Sequence, residues 1–295
     1  MPPVSFDSVA YLYDAIRGYP DDIVQDIAQT IDTSIQAVQQ TALLEIGFGT
    51  GRVAYPLASL GRTCTSVDIS QEVLTLFEEK LRTSSWQEHG NDILPWGSFI
   101  DENTAYSPII SRFTCADPPA SLRLIRADIE HLPLSDDSFD VVIAVHILHL
   151  LDGWQEVIKE VLRVLRPGGW FLHCRDDHQN SDRQLITDQW QGFVQELGGQ
   201  AEHLGASSSV VKQWLLMLGL QPEKDCILTW KQVVVPRAII EAIAQQNWSS
   251  SWAIPDDIFD KSIERLWQWA NEYYGADIDS ERTQEHYFVI SKTRV

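Results

Sequence analysis

Between Leu43 and Arg52 the chain reads Leu-Leu-Glu-Ile-Gly-Phe-Gly-Thr-Gly-Arg, and the next acidic residue at a strand tip is Asp68. Gly47, Gly49 and Gly51 stand at alternate positions after a short apolar segment. Glycines so spaced let backbone approach a ligand more closely than any Cβ permits. Asp68, closing Thr65-Ser66-Val67-Asp68, is placed to accept hydrogen bonds from a ribose. The dinucleotide pattern GxGxxG aims a helix N-terminus at a pyrophosphate. Here the third glycine comes one residue early and Glu45 precedes the loop. A carboxylate there repels a pyrophosphate but suits an ammonium group. The residues therefore predict a nucleoside carrying a cationic amino-acid tail.

Other segments follow in order. Phe6-Asp7 to Tyr13-Asp14, Arg17 and Tyr19-Pro20 precede the loop. Ala127-Asp128-Ile129-Glu130 with Leu132-Pro133-Leu134, then Ser138-Phe139-Asp140-Val141-Val142 and Leu165-Arg166-Pro167-Gly168-Gly169, come after it. Together these segments resemble the class I S-adenosylmethionine-dependent methyltransferases, in the small-molecule, methyltransferase type 11-like branch, over about residues 6 to 175.

The resemblance implies S-adenosyl-L-methionine as cofactor and methyl transfer to a small organic acceptor by in-line displacement. It implies that Gly47, Gly49 and Gly51 pass beneath the methionine tail while Glu45 organises the loop. Asp68 is expected on the ribose hydroxyls with Ile69 against the adenine face. Asp128 is expected on the adenine amino group with Ile129 on the ring. Tyr13 and Arg17 are expected to fold over the cofactor, and Val145 to close its site. His146 and His149 follow the fourth core strand, the wall where an acceptor should lie. The family commonly carries a histidine matching His149, so His146 is the candidate base or substrate-polarising group. No Asn-Pro-Pro-Tyr element stands here, which disfavours the branches that methylate the amino groups of DNA bases or glutamine. Two other readings remain: a non-catalytic cofactor-binding module and an NAD-dependent oxidoreductase. The glycine spacing and the Pro-Gly-Gly turn weigh against the second.

Positioning these residues requires alternating strands and helices. Ile23, Ile27, Ile31 and Ile35 predict a helix before the first strand. Strands are expected at 42–46, 63–68, 122–127, 139–145 and 170–174. Phe139 to Val145 is apolar apart from Asp140, as in a central parallel strand. Asp152 reads as the N-cap of a helix whose apolar face includes Trp154, Val157, Ile158 and Val161. Pro56 predicts that the helix after the glycine loop starts late or bends. The fold class expected is α/β: a doubly wound, mostly parallel seven-stranded sheet, Rossmann-like, with a helical cap inserted near the C-terminus. The domains expected are 1–40, cofactor-covering helices; 41–235, core; 236–282, cap; and 283–295, closing strand.

Two stretches depart from the simplest pattern. Residues 83–121 contain Pro95, Pro108, Pro118 and Pro119, lack periodicity and read as an inserted loop, either a substrate lid or a surface excursion. After the fifth strand, helices are expected at 185–197, 210–218, 237–245 and 255–274, with strands at 225–235 and 285–291. Seven of the eleven tryptophans fall after residue 189. Rigid rings can wall a pocket or fill a core. Trp248 and Trp252, flanking Ser249-Ser250-Ser251, are the pocket candidates.

Composition limits the function classes. A chain of 295 residues, 44% hydrophobic, can bury one large core with a subdomain. No apolar run is long enough to span a bilayer, and the N-terminus lacks a signal-peptide pattern. The four cysteines are far apart, predicting reduced thiols, a cytoplasmic setting and no metal site. A net charge of −20 argues against nucleic acid as partner. Oligomeric state and the acceptor atom (O, N or C) are left open.

Overall fold

The computed structural model describes residues 19–38, 40–93, 109–200, 205–246, 251 and 254–295. The chain divides into two compact units. The first comprises residues 1–175, 205–228 and 289–295, and the second 176–204 and 229–288.

In the first unit, helix α1 (Asp21–Ser34) buries Ile23, Ile27 and Ile31 at one-turn spacing. Strand β1 (Ala42–Ile46) leads to the glycine loop. Helix α2 (Ala54–Ser59) starts two residues before Pro56. The missing N–H of Pro56 therefore falls within the first turn, where no intrahelical partner is available anyway. Strand β2 (Thr63–Asp68) ends on Asp68. Helix α3 (Gln71–Arg82) is capped by Ser70, whose hydroxyl accepts the Val73 N–H at 3.1 Å.

The expected loop at 83–121 is mainly strand where the structure describes it. Strands β3 (Gln87–Ile93), β4 (Ile109–Ala116) and β5 (Pro119–Arg126) pair antiparallel in succession. The third core strand thus begins three residues earlier than expected. Residues 94–108 lie outside the described residues. Strand β6 (Phe139–Val145) pairs parallel with β1 and is buried almost throughout. Helix α4 (Trp154–Val164) follows, with Gly153 rather than Asp152 at its N-cap and no side-chain cap bond. The Glu130 carboxylate lies against Gly153.

Strand β7 runs from Leu165 to Asp177, much longer than expected. The Pro-Gly-Gly turn lies inside it, at the register shift between Phe139–Leu165 and Val141–Trp170. Gly168 adopts φ +82°, and its N–H donates to the Val295 carbonyl at 2.6 Å. Helix α5 (Asp182–Glu196), helix α6 (Ser208–Met217), strand β8 (Cys226–Val234), helix α7 (Pro236–Ala244), helix α8 (Asp256–Tyr274) and strand β9 (Arg282–Arg294) complete the chain.

The sheet order is β3-β4-β5-β2-β1-β6-β7-β9-β8. Nine strands replace the expected seven, because β3 and β4 extend the sheet beyond β5. Five strands, β5-β2-β1-β6-β7, pair parallel. The order reverses at β1, between β2 and β6, the switch point where open α/β sheets bind ligands. Leu44, Ile46, Val142, Val157, Val161 and Phe171 belong to the main core of the first unit.

The second unit has its own core, including Ile186, Trp190, Ile240, Phe259, Leu266 and Ala270 from α5, α7 and α8. Trp190 is wholly buried, and its indole N–H donates to Ser262 Oγ at 2.9 Å. This tryptophan fills a core and walls no pocket.

Candidate functional site

One cavity lies at the carboxyl ends of β1, β2, β5 and β6. Gly47 and Gly49 form one side, Asp68 with Ile69 a second, and Asp128 with Ile129 and Glu130 a third. Val145, His146 and Ile147 close it from the end of β6, with Leu150, Leu151 and Val73 completing the apolar wall. Eight residues singled out in the sequence therefore meet in one place: Gly47, Gly49, Asp68, Ile69, Asp128, Ile129, Val145 and His146. Tyr13, Arg17, Trp248 and Trp252 lie outside the described residues.

Local backbone explains the glycines. Gly47 has φ +66°, and a Cβ there would fall 2.7 Å from Ile147 Cγ1. Gly51 has φ +77°, and its Cβ would enter the Phe77 ring at 2.3 Å. Gly51 is thus a packing position behind the loop rather than a wall of the cavity.

Asp68 holds the loop together. Its carboxylate accepts the Gly49 N–H at 3.1 Å and the Ser70 N–H at 3.0 Å. Both bonds fix the carboxylate at the cavity wall. Asp128 accepts the Glu130 N–H at 2.9 Å, one of about four acceptor positions that a carboxylate has. Burial, and then the Asp128 charge, raises the pKa of Glu130.

Glu45 is buried beneath the loop, not in the cavity wall. Burial pushes its carboxyl up to about 8, against a backbone hydrogen bond from Ala54 and the charge of Arg52. Its Oε2 has no hydrogen-bond partner among the described residues. An orphaned buried acid beside a glycine loop is the feature a cationic tail would satisfy. Burial therefore favours the protonated form of Glu45 in the ligand-free protein.

His146 adopts φ +51°, uncommon for a residue with a side chain. Its N–H donates to the Cys174 carbonyl at 3.1 Å, which fixes the backbone. Its ring lies edge-on to His149, centroids 6.4 Å apart. His149 is not part of the cavity wall. Behind them, burial and then the Arg175 and His146 charges push His173 down to about 4, so that ring is neutral at pH 7.

Glu130, Ile147, Leu150, Leu151 and Val73 join the site without having been singled out. Ile147, Leu150 and Leu151 continue the apolar run from β6, so their hydrophobicity reads equally well as core. Glu130 stands beside Asp128 in the sequence, and that adjacency was the available signal.

Residues 44–103 and 104–173 match a family model described as a methyltransferase domain. Over that span the chain is similar to a methyltransferase domain. This methyltransferase domain is 48% identical over 53 residues to the phthiotriol/phenolphthiotriol dimycocerosates methyltransferase of Mycobacterium tuberculosis, covering 18% of this chain and 20% of that protein. It is 43% identical over 102 residues to the fatty-acid O-methyltransferase of Mycolicibacterium smegmatis, covering 31% and 37%. The chain thus spans about a fifth to two-fifths of the length of these relatives. Among solved structures, the [4+2]-cyclase SpnF shares the fold at a TM-score of 0.52 and 16% identity, covering 98% of this chain and 93% of that one.

The cofactor of such a domain is S-adenosylmethionine, and the donor set of the methyltransferase domain fits it. Three acidic side chains, Asp68, Asp128 and Glu130, line the cavity among apolar residues, and the buried acid Glu45 stands behind the glycines. Among the described residues, no helix is long and apolar enough to cross a membrane.

Proposed function

We propose that the protein transfers the methyl group of S-adenosylmethionine to a small, largely apolar organic acceptor by in-line displacement. The carrying observation is that Gly47, Gly49, Asp68, Asp128 and His146, spread over a hundred residues, line one cavity at the switch point of the sheet. The sulfonium supplies an already activated methyl group, so the protein's task is alignment and exclusion of water. In this reading Gly47 and Gly49 pass beneath the methionine tail and Gly51 lets the loop close on Phe77. Glu45 neutralises the ammonium, Asp68 takes the ribose hydroxyls and Asp128 the adenine amino group. Ile69 and Ile129 sandwich the ring, and Val145 closes its edge. His146 faces the acceptor as base or polarising group.

Support for an apolar acceptor comes from Ile147, Leu150 and Leu151 beside His146, and from relatives named for fatty-acid and phthiotriol substrates. The charge of −20 and the reduced cysteines favour a cytoplasmic protein that does not bind nucleic acid. SpnF, named as a cyclase, keeps a second reading open: a cofactor-binding protein that transfers no methyl group.

Thermal unfolding tests the first step. S-adenosylhomocysteine at micromolar concentration should raise Tm, and NAD should not. A Tm moved by NAD alone would sink the reading. Labelled cofactor, offered with fatty acids and polycyclic alcohols, separates the two readings: transfer supports the enzyme, and binding without transfer to any acceptor supports the module.

A further inference from the structure

Tyr19, the first described residue, precedes α1 and belongs to no element. Its hydroxyl lies 3.4 Å from His146 Nε2, across 127 residues of sequence. Its ring lies under the guanidinium of Arg52, with Cζ 5.0 Å from the ring centroid. Arg52 directly follows the last loop glycine, and its charge reaches the buried Glu45. One side chain therefore touches both the residue that ends the cofactor loop and the candidate group on the acceptor wall.

The His146 backbone is held in the left-handed region and pinned to Cys174, which fixes where the imidazole starts. Unusual backbone at the mouth of a cavity is where positioning constraints collect. The hydroxyl–imidazole distance is at the long end for a hydrogen bond, the usual state of such contacts before ligands arrive.

We propose that Tyr19 is a positioning residue. Its hydroxyl orients the His146 imidazole, and its ring, stacked under Arg52, ties that orientation to occupancy of the glycine loop. The proposal rests on the cavity being the cofactor site. When the cofactor tail draws on Glu45 and Arg52, the guanidinium shifts over the Tyr19 ring and the hydroxyl closes on Nε2. The acceptor wall is thus set only when the methyl donor is in place. Tyr19 touches neither cofactor nor acceptor in this scheme and acts through His146.

The test uses full-length protein labelled with 15N-histidine, with the His146 ring signals assigned by their loss in His146→Asn. Tyr19→Phe keeps the ring under Arg52 and removes only the hydroxyl. Without cofactor, the His146 Nε2 signal should differ between wild type and Tyr19→Phe. Saturating S-adenosylhomocysteine should move it further in wild type and much less in Tyr19→Phe, while both bind the ligand with similar affinity. Identical His146 signals in the two unliganded proteins would overturn the contact. An equal response to ligand would overturn the coupling. If wild type does not bind S-adenosylhomocysteine at all, the functional reading falls and takes the coupling with it, while the unliganded comparison still decides the contact. Once transfer is measurable, Tyr19→Phe should lower kcat about tenfold yet add little to His146→Asn. Fully multiplicative losses would show that the two residues act independently.

Discussion

Around the cavity of the first unit, Asp68, Asp128 and Glu130 stand among apolar walls with a buried acid, Glu45, behind them. Inside the second unit, the core joining α5, α7 and α8 is aliphatic and aromatic, and a Trp190 bond to Ser262 lies within it. The first region spends polar groups in low-dielectric surroundings, at a cost that only a ligand recovers. In the second, the polar groups that join α5 to α8 bond to one another: Asp182, for example, accepts the Tyr274 hydroxyl at 2.7 Å and a bond from Gln284. The contrast separates residues kept for recognition from residues kept for packing.

The comparison can be broken by substitution. Trp190→Ala removes a fully buried ring and should cost about 3–5 kcal/mol of stability, while leaving S-adenosylhomocysteine affinity of the folded protein unchanged. Chemical denaturation with calorimetric titration measures both, and a large affinity loss would show that the second core also shapes the cofactor site. Asp68→Ala should do the reverse, weakening S-adenosylhomocysteine roughly 100-fold through lost charged hydrogen bonds. Binding close to wild type would mean that the Asp68 carboxylate serves only the loop. Gly51→Ala forces a methyl group into the wholly buried Phe77 ring and should cost about 2–3 kcal/mol. If unfolding curves show no loss, the loop is looser than its contacts imply.

The gentlest test is pH. Glu45 binds a proton more tightly folded than unfolded, so its contribution is complete below the unfolded pKa of about 4.5 and is lost as pH rises through about 8. Ligand-free wild type should therefore lose stability from about pH 5 to 8, and Glu45→Gln should flatten this slope. S-adenosylhomocysteine affinity should move the opposite way in wild type, rising over the same window as the buried acid gives up its proton to receive an ammonium group. A pH-independent affinity would show that Glu45 does not meet the tail.

The two regions also differ in how far the sequence discloses them. Strands Ala42–Ile46, Thr63–Asp68 and Phe139–Val145 are legible because each is short and rich in apolar or β-branched residues and is bounded by glycine or a strand-tip acid. The cavity residues on them follow from the same pattern. Gln87–Ile93 is not legible: as an edge strand with Glu88, His89, Gly90, Asn91 and Asp92, it carries a loop's composition. The N-cap of α4 falls on Gly153, one residue past the Asp152 that local preference selects. The left-handed backbone of His146 is hidden as well, since histidine is no turn former and the apolar run continues past it. In the second unit helices read easily from periodicity, but whether a tryptophan is wall or core depends on packing partners far along the chain.

The first unit is assembled from three separate stretches of chain, the last of them residues 289–295. In the finished sheet β9 lies between β7 and β8. During synthesis, therefore, β7 gains this neighbour only after the intervening helices and β8 have been made. Until then the nascent protein presents an open hydrogen-bonding edge beside the strand that supports the cavity, the kind of surface that chaperones shield and that aggregates recruit.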